Sequence, residues 1–162
     1  MAEQTKPKRK VGDIIVTVIL ILVIVFAIVF SYSAYVTKAG NGVPSILGFM
    51  PFAVQSDSMA PFFHAGDLVI DKKIDDFSTL KVGDVITFWT IINGYRVLNT
   101  HRITSAENMG EYYYFETKGD NNTVEDSLTV HQSEIVGQYN GSKIGGLGKV
   151  FDFLQTPTGF LI

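Results

Sequence analysis

The densest cluster of small polar residues is Ser56-Asp57-Ser58-Met59-Ala60-Pro61, which follows an apolar run and precedes Phe62-Phe63-His64-Ala65-Gly66-Asp67. A serine at the end of a strand, with its path set by a nearby proline, can present its hydroxyl to a substrate. In isolation such a segment is more often a turn. A serine hydroxyl becomes a nucleophile only with a base in hydrogen-bond reach, and a histidine oriented by a carboxylate is the commonest way to supply one. His64, His101 and His131 are the candidates, and spacing does not choose among them, because the fold assembles such groups without regard to sequence order. Asp67 and Asp84 each follow a glycine and open an apolar run, so they read as turn residues before strands and not as a carboxylate pair.

The elements that must position these residues are mostly short β runs. Asp84 to Ile92 and Tyr95 to Ser105 are aromatic and β-branched runs joined by Asn93-Gly94, the dipeptide of a two-residue hairpin turn. Further strand-like runs lie at Phe52–Ser56, Asp67–Lys72, Tyr112–Lys118 and Glu134–Tyr139, each suited to a compact, strongly bent sheet. Leu147, Val150, Phe151 and Leu154 fall at i, i+3, i+4 and i+7, the stripe of a short amphipathic helix suited to a bilayer surface and ended by Pro157. The closing Gly159-Phe160-Leu161-Ile162 reads as the beginning of an apolar segment. There is no internal repeat.

Ahead of the β runs, Ile14 to Val36 carries no charge and no proline, and as a helix would be roughly 34 Å long, enough to span a bilayer core. Lys6, Lys8, Arg9 and Lys10 precede it and only Lys38 closely follows, so the positive-inside rule puts the N-terminus in the cytoplasm and the rest outside. The apolar run exceeds the h-region of a cleaved signal peptide. The expected organisation is a cytoplasmic segment (1–13), a transmembrane helix (14–36), a linker and membrane-proximal segment (37–51), a β-rich domain (52–142) and a membrane-proximal C-terminal segment (143–162). A net charge of −3 among 162 residues argues against nucleic acid as a partner. With no cysteine, disulfides, thiolate zinc sites and cysteine nucleophiles are excluded.

Ser56-x-Ser58-Met59-x-Pro61, Gly66-Asp67-Leu68-Val69, Gly83-Asp84-Val85-Ile86, His101-Arg102-Ile103 and Lys118-Gly119-Asp120-Asn121-Asn122 with Asp126 together resemble the ordered motif set of type I signal peptidases. The match runs from about Phe52 to Gly137; each motif alone is weak, and their order behind an N-terminal span is specific. Bacterial housekeeping members carry a lysine base before the Arg-hydrophobic pair, whereas this chain has His101. It therefore resembles the endoplasmic-reticulum-type branch, which includes archaeal and sporulation-associated Gram-positive enzymes.

The resemblance implies a mainly β fold, a coiled antiparallel sheet or partial barrel on one N-terminal transmembrane helix. It implies Ser58 as nucleophile, His101 as general base and Asp126 as the acid that orients the imidazole. Asp120 matches a second acidic position, expected to support the loop carrying Asp126 or to lie close to His101. Ser56, with the Ser58 backbone N–H, would form the oxyanion hole. His64 reads as a loop residue, Lys118 as part of the Gly-Asp-Asn loop, and Glu125 competes with Asp126 for the inward-facing position. The implied activity is signal peptide removal from exported preproteins at the cell membrane, with membrane lipid and a nearby secretion translocon as surroundings and no cofactor or metal. Two other readings are a regulatory or self-cleaving serine-lysine peptidase of related architecture, and a membrane-tethered β domain that binds exported proteins without cutting them. The first needs a lysine base and usually a DNA-binding domain, neither of which the sequence offers.

Overall fold

A computed structural model describes residues 11–39, 43, 45 and 47–155 of the chain. The basic residues at positions 6–10, the linker residues Gly40, Asn41, Gly42 and Pro44, and Pro157 with the closing apolar tetrapeptide lie outside the described residues. The chain divides into two compact units, residues 1–44 and 45–162.

The first unit contains helix α1, Val11–Ala39, which extends beyond both ends of the uncharged run. Its described side chains from Ile14 to Ile28 are exposed on every side of the helix. An apolar surface all round is the pattern of a helix whose solvent is lipid, and the helix is long and apolar enough to cross a membrane by length and composition.

The second unit is one antiparallel sheet of seven strands with a short helix: β1 Phe49–Ala53, β2 Leu68–Lys72, β3 Val85–Ile92, β4 Tyr95–Met109, β5 Tyr112–Lys118, β6 Val130–His131, β7 Ile135–Ile144 and α2 Leu147–Gln155. The spatial order is β1-β2-β7-β3-β4-β5-β6. The mainly β, antiparallel architecture is the expected one, and the sheet is open, with β1 and β6 as its edges. The Asn93-Gly94 turn joins β3 to β4 with both residues in the left-handed region, at φ 53° and 81°, and the register runs without a break from Ile92↔Tyr95 to Val85↔Arg102. That turn twists with the strands and locks every later pairing on β4.

Strand β1 begins at Phe49, ahead of the expected run. The reason is packing: Met50 is buried, while Leu47 and Phe49 remain exposed. Register breaks at Ile70/Asp71 on β2, Thr87/Phe88 on β3 and Ile103/Ser105 on β4 bend the sheet, as bulges do. Strand β6 is too short to leave an alternating pattern in the sequence. The α2 helix forms over the amphipathic stripe and is tied to the domain by Gly148 N–H, which donates to Gly66 O at 2.9 Å. The side chains of Phe151 and Leu154 lie outside the described residues.

Alternation on the central strands builds two apolar clusters. Ile86 and Phe88 join Leu80, Ile103, Phe115, Val130 and Ile135 in one, whereas Val85 joins Met59, Phe63 and Val69 in the other. Burying each such side chain contributes roughly 1.5–3 kcal/mol. The second cluster includes two residues from the serine turn, so the same apolar surface that stabilises the sheet holds that turn down.

One core group breaks the apolar pattern. Asp71 on β2 is fully buried, and burial pushes its carboxyl up to about 7, a rise that the neighbouring Thr87 hydroxyl only tempers. A carboxyl whose pKa is raised in the folded state contributes stability that is fully present below the unfolded value and is lost as pH rises through the folded one. In equilibrium urea unfolding of the full chain in detergent, this group should make the protein roughly 2–3 kcal/mol less stable at pH 8 than at pH 5. Asp71→Asn should flatten that slope; an unchanged slope would show that Asp71 stays ionised throughout.

Candidate active site

Ser58 sits in the turn between β1 and β2, half-buried, at a position fixed from below and from the side. Below it, Met59 and Phe63 are buried, and Phe63 N–H donates to Met59 O at 3.0 Å. The turn contains a cis Ala60–Pro61 bond and is closed by Val54 N–H to Asp67 O and Gly66 N–H to Val54 O, both 2.8 Å. Asp67 caps the far side, accepting from His64 N–H at 3.0 Å. Asp84 does the same for the next turn, accepting from Lys81 N–H at 3.0 Å, so both aspartates are the turn residues the sequence indicates.

The Ser58 hydroxyl donates to His101 Nε2 at 3.1 Å, and His101 Nδ1–H donates to Asp126 Oδ2 at 2.6 Å. His101 lies on β4, with its side chain only 5% exposed, and Asp126 on the loop after β5. Of the three histidines, this one alone meets the serine. His64 is exposed, 3.6 Å from Asp57, and His131 accepts from Ser133 N–H at 3.3 Å to cap a short helical turn. Glu125 points to solvent, which resolves its competition with Asp126.

Burial pushes Asp126 upward, but hydrogen bonds from His101 and from Thr117 outweigh it, and its carboxyl is held below the usual carboxylate range. Thr117 Oγ1 donates to Asp126 Oδ2 at 2.6 Å, and Asp126 N–H donates to Thr117 O at 2.8 Å. An ionised acid beside Nδ1 leaves Nε2 as the acceptor that faces the serine.

The loop between β5 and Asp126 organises the rest. Asp120 forms a two-pronged ion pair with Arg102, accepting at 2.8 and 2.6 Å, and Arg102 also donates to Gly83 O at 2.8 Å. Asp120 thus bears on β4 beside His101 and supports the loop. Asn121 N–H donates to Ser58 O at 2.8 Å, and its side chain donates to Asp57 O at 3.2 Å. Gly119 is required for space: a Cβ there would stand 2.6 Å from Ser58 O and 2.9 Å from His101 Nε2. Ser56 Oγ donates to Ser58 Oγ at 3.2 Å, on the open side of the turn.

Sequence reading missed two contributors. Thr117 is one, and the other is Asn99, whose side-chain amide lies 3.1 Å from His101 Nδ1. Asn99 stands two residues before His101 on one strand, and that period of two was the available signal. Beside Ser58 a cleft of about 260 Å³ is lined by Phe52, Val54, Val69, Thr87, Leu98, Asn99 and Thr100 among others.

The geometry can activate a serine hydroxyl at the edge of a cleft. No protein-family model matches the chain. It is 35% identical over 136 residues to Signal peptidase I W of Bacillus subtilis (strain 168), an alignment that covers 84% of this chain and 68% of that protein. Likeness of that degree over most of both chains, joined to the antiparallel β domain and the N-terminal apolar helix, means that the chain belongs to the type I signal peptidase family and is a peptide-bond hydrolase.

Proposed function

We propose that the protein is a membrane-anchored serine endopeptidase that removes signal peptides from exported preproteins, with Ser58 as nucleophile, His101 as general base and Asp126 as the orienting acid. The observation that carries this reading is the continuous line from Ser58 Oγ to His101 Nε2 at 3.1 Å and from His101 Nδ1 to Asp126 at 2.6 Å. In the first step Ser58 Oγ attacks the scissile carbonyl carbon while its proton passes to Nε2, and Asp126 stabilises the imidazolium. Negative charge gathers on the carbonyl oxygen, within reach of the Ser58 N–H and of the Ser56 hydroxyl once that hydroxyl turns from Ser58 Oγ. His101 returns the proton to the leaving amine, and water activated by the same imidazole hydrolyses the acyl-enzyme. Asp120 acts at one remove, through Arg102 and the loop.

A histidine base assigns the chain to the endoplasmic-reticulum-type branch. Helix α1 would hold the β domain at the membrane with the N-terminus in the cytoplasm, by the excess of lysine and arginine ahead of it. A signal peptide's apolar segment partitions into the same bilayer, so tethering raises the local concentration of enzyme at its substrate.

In a purified system with one preprotein, Ser58→Ala should abolish cleavage and keep the thermal transition; cleavage by the mutant would remove Ser58 from the mechanism. His101→Lys should leave the enzyme inactive, since a flexible ammonium does not reproduce the imidazole held by Asp126, and recovered turnover would speak against the branch.

Gly119→Ala tests the close packing of the three elements. The added methyl must push Ser58 or His101 aside, and misplacement on the order of 1 Å costs about 100-fold in rate. We expect such a loss in kcat with a folded protein, and a rate within about twofold of the parent would mean that the site tolerates looser geometry.

A further inference from the structure

Asn99 is a polar residue on an apolar face. On β4 it pairs with Phe88, and His101 two residues later pairs with Ile86, so both polar side chains stand on the side of the sheet that carries the first apolar cluster. Asn99 is half-buried, and its side-chain amide meets His101 Nδ1 at 3.1 Å. The mechanism above gives that nitrogen another partner, Asp126, at 2.6 Å. Two groups therefore converge on one ring nitrogen, and the reaction as written uses only the carboxylate.

Nδ1 carries a proton in the tautomer that leaves Nε2 free to accept from Ser58. A second donor aimed at that N–H would oppose it, so the amide presents its oxygen: its two ends exchange by a half-turn, and the hydrogen-bond partner decides which one faces the ring. The Nδ1 proton then lies between a carboxylate oxygen and an amide oxygen, a three-centre bond in which the nearer, charged acceptor dominates. An amide oxygen can orient an imidazole by itself, as it does in Cys-His-Asn peptidases. Here the amide comes from the histidine's own strand, two residues away, whereas Asp126 arrives on a separate loop.

We propose that Asn99 is a second positioning residue for His101: its amide oxygen shares the Nδ1 proton with Asp126 and keeps Nε2 turned toward Ser58 when the carboxylate is missing. The two partners divide the work. Asp126 gives the imidazolium both orientation and a compensating charge, and Asn99, being neutral, gives orientation alone. While Asp126 is present, losing Asn99 removes one acceptor of a shared proton, a cost of roughly fivefold in rate. Without Asp126 the amide is the remaining partner of a ring that is only 5% exposed, and its loss leaves a buried N–H unpaired, a cost of roughly thirtyfold.

The inference rests on the peptidase reading, and the experiment separates the two. Cleavage of one preprotein is measured with the full chain in detergent micelles. Asn99→Leu alone should lower kcat roughly fivefold with KM within about twofold of the parent. Asp126→Ala should keep measurable cleavage, and adding Asn99→Leu to it should remove roughly thirtyfold more, a coupling that two independent sites would not show. Asn99→Asp in the Asp126→Ala background puts a carboxylate on the other side of the same proton, and should recover kcat by about tenfold or more. A residue that only packs the strand or lines the cleft would give equal losses in both backgrounds and no recovery. Asn99→Asp is isosteric, so it carries the test if thermal transitions show that Asn99→Leu fails to fold. Asp126→Ala without cleavage, equal losses in both backgrounds, or no recovery with Asn99→Asp overturns the inference and leaves the peptidase reading intact. A parent that cuts no preprotein overturns both.

Discussion

The hydrogen bond from Asn121 N–H to the Ser58 carbonyl, 2.8 Å long, joins two parts of the chain that share no strand pairing. The serine turn hangs between β1 and β2 at one edge of the sheet, whereas His101 belongs to β4 and Asp126 to the loop beyond β5. Without a direct tie the distance between hydroxyl and imidazole would depend on the flexing of several strands. The loop from Gly119 to Asp126 removes that dependence by touching every partner: Asn121 holds the serine backbone, Asp120 holds Arg102 beside the histidine, and Asp126 holds the imidazole. The absence of a side chain at Gly119 lets the loop come this close. Backbone hydrogen bonds and a two-pronged ion pair are directional, so the loop sets orientation as well as distance.

Two carboxyls in the same domain illustrate how partners decide the charge of a buried group. Asp126 and Asp71 are both pushed upward by burial. Asp126 receives hydrogen bonds from His101 and Thr117, which reverse the effect and keep it ionised. Asp71 has only the neighbouring Thr87 hydroxyl, which tempers the rise without reversing it, and its carboxyl sits near 7. Desolvation is common to the two sites, and the difference lies in donors that neighbouring strands do or do not supply.

The bends in the sheet place these groups. Register breaks fall at Asp71 on β2, beside Thr87 on β3 and after Ile103 on β4, and each locally increases twist. Asp71 and Thr87 stand at two of those breaks, with Gly137 between them. Both faces of β3 are buried, which accounts for the nearly unbroken apolar run of Val85 to Phe88 in place of clean alternation.

Local chemistry was legible in the sequence wherever a short segment has a single low-energy outcome. The uncharged run from Ile14 to Val36 could be little other than a helix, because unpaired backbone groups are costly in an apolar surround. Asn93-Gly94 specified a two-residue hairpin because both residues tolerate positive φ, and that turn set the register of β3 against β4. The family could likewise be read from the order of its motifs. The motif order also pointed to His101 and Asp126, but that their side chains meet Ser58, that Glu125 faces outward, and what Asn99, Thr117 and Asp71 touch were decided only by tertiary structure. Each is a contact between residues far apart in the chain or hidden by strand pleat, and such contacts depend on where bulges turn the sheet, which no local run of residues encodes.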